Sequence, residues 1–155
     1  MKPSELIGPD DLLLGFNPAD KWNCIQDLVE HLVQTGRLES ELADAVREAV
    51  LSRERSMSTG MEDGVAIPHA ALEDVSEVIA CLGVIQTEQG LDFESIDGRP
   101  TRLVVLLVIP KSQKLLHIRT LADIARVLSK DLVRKELLAA SEPERAHAVL
   151  VAGEA

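Results

Sequence analysis

Aromatic side chains are almost missing from this sequence: Trp22, Phe16 and Phe93 are all it has, and there is no tyrosine. A core must therefore be built from Leu, Val, Ile and Ala, and the stacking platforms needed to bind single-stranded nucleic acid are lacking. Basic residues are also sparse, with 16 Lys and Arg against 26 Asp and Glu for a net charge of −10. A field of that sign repels phosphate backbones and anionic membranes. The densest basic stretch is only the broken run Arg53-Glu54-Arg55. A protein partner with a basic or apolar face suits such a surface better.

Cysteine is limited to Cys24 and Cys81, far apart and without CxxC or metal-ligand spacing. Each falls in an apolar pattern, so buried reduced thiols are expected. Long hydrophobic runs are missing too: the longest, Leu103 to Ile109, is far short of the roughly 20 residues that span a bilayer. The start, Met1-Lys2-Pro3-Ser4-Glu5, lacks the charged-then-apolar layout of a secretory signal. The expected compartment is the cytoplasm, with no membrane insertion and no nucleic-acid partner.

What is present describes one α/β domain over residues 1–155. Hydrophobic residues at 46% and charged ones at 27% give an ordinary globular balance with enough chain for a core. Leu12 to Phe16 reads as a short strand, followed by a break at Asn17-Pro18-Ala19-Asp20 that offers helix caps. Ile25, Leu28, Val29, Leu32 and Val33 recur at helical spacing, with Gly36 as a C′ residue. A second helix is expected from Ser40 to Arg53, with Leu42, Ala45, Val46, Ala49 and Val50 inward.

Periodicity stops between Glu54 and Gly64, where Ser, Thr, Gly and Asp indicate an ordered loop. Val65-Ala66-Ile67 reads as a short strand ended by Pro68, which cannot donate to a ladder. Val78–Ile85 and Arg102–Ile109 read as strands buried on both faces. After Pro110 and a loop over Lys111–Lys114, a helix should turn Leu121, Ile124, Ala125 and Leu128 inward. Asp131–Ala140 reads as another helix, and Ser141-Glu142-Pro143-Glu144 has capping-box spacing for the last. Helices interleaved with short buried strands predict a single-domain sandwich, a central mixed β-sheet flanked by helices on both faces.

Of four histidines, His31 and His147 fall inside helices with no Cys or His nearby and read as surface or half-buried residues. His69 and His117 sit at element boundaries. His69 follows a strand and a proline, where a stiff backbone changes direction, and rigidly held loop residues often carry chemistry. A neutral imidazole is a good nucleophile that can hold a phosphoryl group. Taken alone, however, a Pro-His pair describes a structural histidine better than a reactive one. His117 heads the apolar face of its helix, which fits either a core-edge histidine or a second imidazole steadying an anion near free first-turn amides. Arg53 reads either as a cation for that anion or as ordinary surface charge.

Taken together these residues resemble a known family. Arg53-Glu54, then Ser58-Thr59-Gly60 and Gly64-Val65-Ala66-Ile67-Pro68-His69-Ala70, resemble the signature of enzyme IIA domains of the phosphoenolpyruvate–sugar phosphotransferase system. The class is the fructose/mannitol type, which includes stand-alone nitrogen-regulatory IIA proteins. Asp20-Lys21, Asp92-Phe93-Glu94-Ser95-Ile96-Asp97-Gly98, and the Pro110 loop leading to His117 extend the similarity over nearly the whole chain.

The resemblance implies a phosphocarrier with its phosphohistidine at His69, a second active-site histidine at His117, an arginine at Arg53, and no cofactor. It implies a histidine phosphocarrier, HPr or its nitrogen-branch counterpart, as donor, and a cysteine of enzyme IIB or a regulatory target as receiver. With no IIB or membrane segment in the chain, regulation is modestly favoured over sugar transport. Arg55, Ser56 and Arg119 depart from the family's usual residues and bear on partner choice. Two other readings stand beside this one. The first is a binding module of the same fold that is not phosphorylated. The second is a metal-dependent hydrolase using His69 and His117, which lacks an obvious third ligand because Asp63 and Asp92 have no diagnostic spacing.

Overall fold

The computed structural model describes residues 2–155. In chain order it contains α1 (Pro3–Leu6), β1 (Leu12–Phe16), α2 (Lys21–Gln34), α3 (Ala43–Ser56), β2 (Val65–Ala66) and β3 (His69–Leu72). These are followed by β4 (Ile79–Ile85), β5 (Leu103–Pro110), α4 (Lys114–Leu128), α5 (Asp131–Ala139) and α6 (Pro143–Gly153). Single 3-10 turns occupy Pro9–Asp11 and Ser40–Leu42.

All residues of β4 and β5 are buried, as expected for apolar runs that must be covered on both faces. β5 pairs antiparallel with β4, and β4 pairs parallel with β1. On its other side β5 pairs parallel with both β2 and β3. The sheet is therefore mixed and five-stranded. Side chains alternate across it. Leu103, Val105, Leu107 and Ile109 of β5 join a core with α1, α4, α5 and α6, whereas Val104, Leu106 and Val108 join one with α2 and α3. This is the expected sandwich.

Helix signals hold unevenly. Asp20 caps α2 by accepting the amide of Asn23 at 2.8 Å, and Gly36 follows the helix with φ +77°, a left-handed conformation natural to glycine. α3 is entered through a 3-10 turn and runs on to Ser56, past the expected end at Arg53. Glu54 is therefore helical, not part of the loop, while Ala45 is exposed. Ser141 does not cap α6: the cap position is Glu142, without a side-chain bond. Of the expected inward residues of α4, Ile124 and Leu128 are buried, joined by Thr120 and Val127, while Leu121 and Ala125 stay half-buried. Pro68 interrupts the edge strand but does not end it, because pairing with β5 resumes at His69.

Both thiols are free and buried. Burial raises the pKa of each, and Cys81 Sγ donates weakly to the carbonyl of Leu28 at 3.7 Å. Among the described residues no helix is long and apolar enough to cross a membrane.

One close approach sets the β1–β4 contact. A Cβ added at Gly83 would lie 2.6 Å from the ring of Phe16 and 3.3 Å from Leu28. Gly83→Ala should therefore cost about 1–3 kcal/mol through overpacking, read as a lower urea midpoint at unchanged m-value. An unshifted midpoint would show that Phe16 moves aside freely.

Candidate active site

His69 opens β3 opposite Leu107 of β5, immediately after the Ile67-Pro68 interruption. The carbonyl of Pro68 accepts from the amide of Leu107 at 3.0 Å, which keeps the break tied to the central strand. The His69 ring folds back on its own turn, with Nδ1 2.8 Å from the carbonyl of Ile67. A carbonyl can only accept, so Nδ1 carries the hydrogen in this contact and Nε2 keeps its lone pair.

His117 comes from the first turns of α4, and its ring centroid lies 5.3 Å from that of His69, edge to face at 74°. The amide of His117 is already bonded to Gln113 at 3.0 Å. The unpaired first-turn amides therefore precede it, and its own N–H is not among them. Arg53 comes from the last turn of α3, with Nη1 donating to the carbonyl of Met57 at 2.7 Å. The structure thus brings His69, His117 and Arg53 together, the grouping that the family resemblance implies.

His31 and His147 are elsewhere. Each places Nε2 against one backbone carbonyl, that of Asp10 at 2.8 Å and that of Ser4 at 2.9 Å respectively. Among the described residues, no group of three or more His, Cys, Asp or Glu is arranged to hold a metal ion.

A cavity of about 540 Å³ opens beside His69 and Arg53, lined also by Ile67, Glu94, Leu121 and Ala125. This explains why Leu121 and Ala125 are only half-buried. Behind the cavity wall, Thr59 and Glu94 of its lining are tied to two buried charged residues whose pairing the sequence does not show. Glu54 is 2% exposed and accepts from the Thr59 amide at 2.9 Å and the Thr59 hydroxyl at 2.5 Å. Lys21 Nζ lies 3.4 Å from Glu54 and 3.1 Å from Glu94. Glu94 itself adopts φ +53°, a strained setting for a residue other than glycine. The sequence signals were the Arg53-Glu54 and Asp20-Lys21 pairs and the Asp92-to-Gly98 segment of the motif.

Both active-site imidazoles titrate below their ordinary 6.5. For His69 burial is the main cause, with Arg53 and His117 adding to it against the opposing Ile67 carbonyl and Glu54. For His117 the causes are burial and then Arg53. Each ring is therefore neutral at neutral pH, the state in which a histidine can attack. The folded rings bind protons less readily than unfolded ones, so their contribution to stability is fully present above pH 6.5. It falls away as the pH drops from there toward the lowered folded values.

The whole chain can now be compared with known proteins. Residues 6–152 match the family described as "Phosphoenolpyruvate-dependent sugar phosphotransferase system, EIIA 2". A fructose-specific EIIABC component of Bacillus subtilis is 32% identical over 144 residues, 93% of this chain but only 22% of that longer protein. A nitrogen regulatory protein of Bradyrhizobium diazoefficiens is 31% identical over 150 residues, covering 97% of this chain and 95% of the relative. Among solved structures, the nitrogen regulatory protein IIA-Ntr of Neisseria meningitidis superposes with a TM-score of 0.81 at 25% identity, covering 95% of this chain and 97% of that one. The mixed sheet and its flanking helices are thus the fold of the IIA proteins. The chain belongs to the EIIA type 2 family of the phosphoenolpyruvate-dependent sugar phosphotransferase system.

The titrations provide a direct check. In an NMR titration His69 and His117 should both show midpoints below 6.5, and Arg53→Met should raise both by removing a nearby cation. Midpoints that do not move would show that the guanidinium is not within electrostatic reach.

Proposed function

We propose that His69 is the phosphoryl acceptor of this family member, attacking through Nε2, with Arg53 and His117 stabilising the transferring group. The observation that carries this reading is the bond from His69 Nδ1–H to the Ile67 carbonyl, which leaves Nε2 bare in a ring held neutral by burial. The Nε2 lone pair forms the new N–P bond. The bond to the donor's nitrogen breaks, and its electron pair returns to that nitrogen. His69 keeps its Nδ1 proton throughout, so its ring becomes cationic, and the Ile67 carbonyl is placed to stabilise that charge.

Transfer between two nitrogens passes through a loose transition state with negative charge on the equatorial oxygens, so positioning and cations account for most of the catalysis. Arg53 supplies a guanidinium cation, and the neutral His117 supplies a hydrogen-bond donor.

We further assign the donor as a histidine phosphocarrier of the HPr type or its nitrogen-branch counterpart, and the receiver as an enzyme IIB or a regulatory target. A IIA of the mannitol system from Escherichia coli, solved in complex with phosphorylated IIB, shares this fold with a TM-score of 0.78, which supports a protein receiver. So do exposed apolar side chains around the cavity and the start of α4: Met57, Ile96, Leu115 and Ile118 are 68%, 76%, 61% and 66% accessible. On an otherwise acidic surface such a rim suits docking of a protein. A regulatory role is favoured by similarity to the nitrogen regulatory proteins of Bradyrhizobium and Neisseria. The chain is read as one phosphocarrier unit acting in the cytoplasm.

Incubation with a phosphorylated carrier protein and intact-mass analysis tests the assignment. Wild type should gain one phosphoryl group, mapped to His69, and His69→Ala should gain none. His117→Ala should still be labelled, roughly 10²–10³-fold more slowly if it stabilises charge in the transition state. Labelling of the H69A variant, or an unchanged rate in H117A, would refute the respective role.

A further inference from the structure

Two charged side chains beside the active site are buried almost completely, and neither takes part in the transfer chemistry described above. Glu54 is 2% and Lys21 7% exposed. Burying an ion pair brings a desolvation cost that the mutual attraction often fails to recover, and an apolar pair is frequently as stable. Their bonding pattern indicates a different use.

Both oxygens of Glu54 are spent on one residue of the loop after α3: Oε2 accepts the Thr59 amide and Oε1 the Thr59 hydroxyl. Thr59 is thereby held against the edge strand. Its carbonyl accepts from the amide of Ile67 at 3.3 Å, and Gly60 bridges to Ala66. The Ile67 carbonyl in turn accepts from His69 Nδ1. The chain of contacts runs from Lys21 through Glu54 and Thr59 to the Ile67 peptide, and ends on the imidazole.

Lys21 anchors its start. Its Nζ contacts Glu54 and Glu94 and lies 4.8 Å from the ring centroid of Trp22 and 5.9 Å from that of Phe93. The far side of the loop is closed as well. Ser58 Oγ bonds the carbonyl of Phe93, and a Cβ on Gly60 would lie 2.6 Å from that same oxygen. The loop is thus packed against Phe93 as well as against the edge strand.

We propose that Glu54 is a positioning residue for phosphoryl transfer. By clamping Thr59 it fixes the Ile67 peptide, and through that peptide the tautomer and orientation of His69. The inference rests on His69 being the acceptor. Glu54 touches neither the phosphoryl group nor the reacting nitrogen, and its charge also opposes the lowering of the His69 pKa.

The test uses Glu54→Gln in the full chain, with a phosphorylated HPr-type carrier as donor and nitrogen–proton correlation NMR of the His69 ring. Gln keeps the shape but loses the charge that binds Lys21 and both Thr59 donors. The fraction of His69 protonated on Nδ1 should fall. The maximal transfer rate should drop roughly ten- to a hundred-fold, the scale of a small misplacement. The half-saturating donor concentration should stay at the wild-type value, because the docking rim is untouched.

A folded E54Q protein with the wild-type tautomer, or with a wild-type maximal rate, overturns the proposal. A merely structural residue would lower the melting temperature without moving the tautomer. If E54Q does not fold, Thr59→Val removes the hydroxyl donor and keeps the ion pair; it should produce the same tautomer shift at smaller size, and no shift overturns the idea. Wild-type protein that is not labelled on His69 removes the acceptor assignment and the proposal with it. Wild-type labelling with unaltered variants removes the proposal alone.

Discussion

β5 is the constraint on which the rest depends. Every residue from Leu103 to Pro110 is buried, so the strand must be covered on both faces and paired on both edges. One edge is satisfied by antiparallel pairing with β4. The other takes a parallel segment interrupted at Ile67-Pro68, because proline has no N–H to give. The Ile67 amide turns away to Thr59, and the Pro68 carbonyl stays with Leu107. A ladder break at the sheet edge is thereby filled by the loop after α3 on one side and by an imidazole on the other. The register that places His69 opposite Leu107 also places it within reach of α3 and α4, which cover opposite faces of the sheet.

Much of this was legible in the residues themselves. The run Leu103–Ile109, ended by Pro110 and rich in Val and Ile, pointed to a two-sided strand, and the 3.6-residue spacing of Ile25, Leu28 and Leu32 pointed to a helix with an inward face. What escaped was whatever depends on partners distant in sequence. Glu54, inside Arg53-Glu54-Arg55, looks like surface charge. Its burial follows from Lys21, 33 positions away, and from a helix that runs one turn further than its apolar pattern. Pro68 looked like a terminus because pairing is lost at one residue, while the ladder that resumes at His69 is set by β5. Ser141 has the spacing of a capping box, yet α6 starts after Glu142. His69 itself could not be told from a structural histidine by its neighbours alone; the motif as a whole gave it a role, and the fold then supplied the geometry.

The electrostatics of the site divide labour between permanent and conditional charge. The chain carries a net charge of −10, and a phosphoryl group adds up to about two more negative charges. A site relying on protonated histidines would hold that anion well but would have no free lone pair for attack. Here burial favours the neutral form of both imidazoles, and the positive charge is left to the Arg53 guanidinium. Arg53 in turn favours the neutral rings, since a cation beside an imidazole opposes its protonation. On the proposed assignment, one guanidinium would serve both requirements, favouring the neutral nucleophile before transfer and offsetting the negative charge that follows.

A carrier must also give up what it accepts, which argues against a closed, fully charged pocket. The cavity beside His69 is open and mostly apolar, with Ile67, Leu121 and Ala125 in its wall. Its rim exposes Met57 and Ile96. In so open a cavity, a phosphoryl group carried as proposed would remain partly hydrated while the protein is alone. A partner seated on the apolar rim would expel that water, and the same guanidinium and imidazole would then act in a lower dielectric, where each contact is stronger. On the proposed reading, the strength of the site would thereby be conditional on docking. On the proposed assignment of the phosphoryl group to His69, this would separate retention from transfer, and it fits a site with few polar residues and an extensive structure fixing them, from Lys21 to the Ile67 peptide.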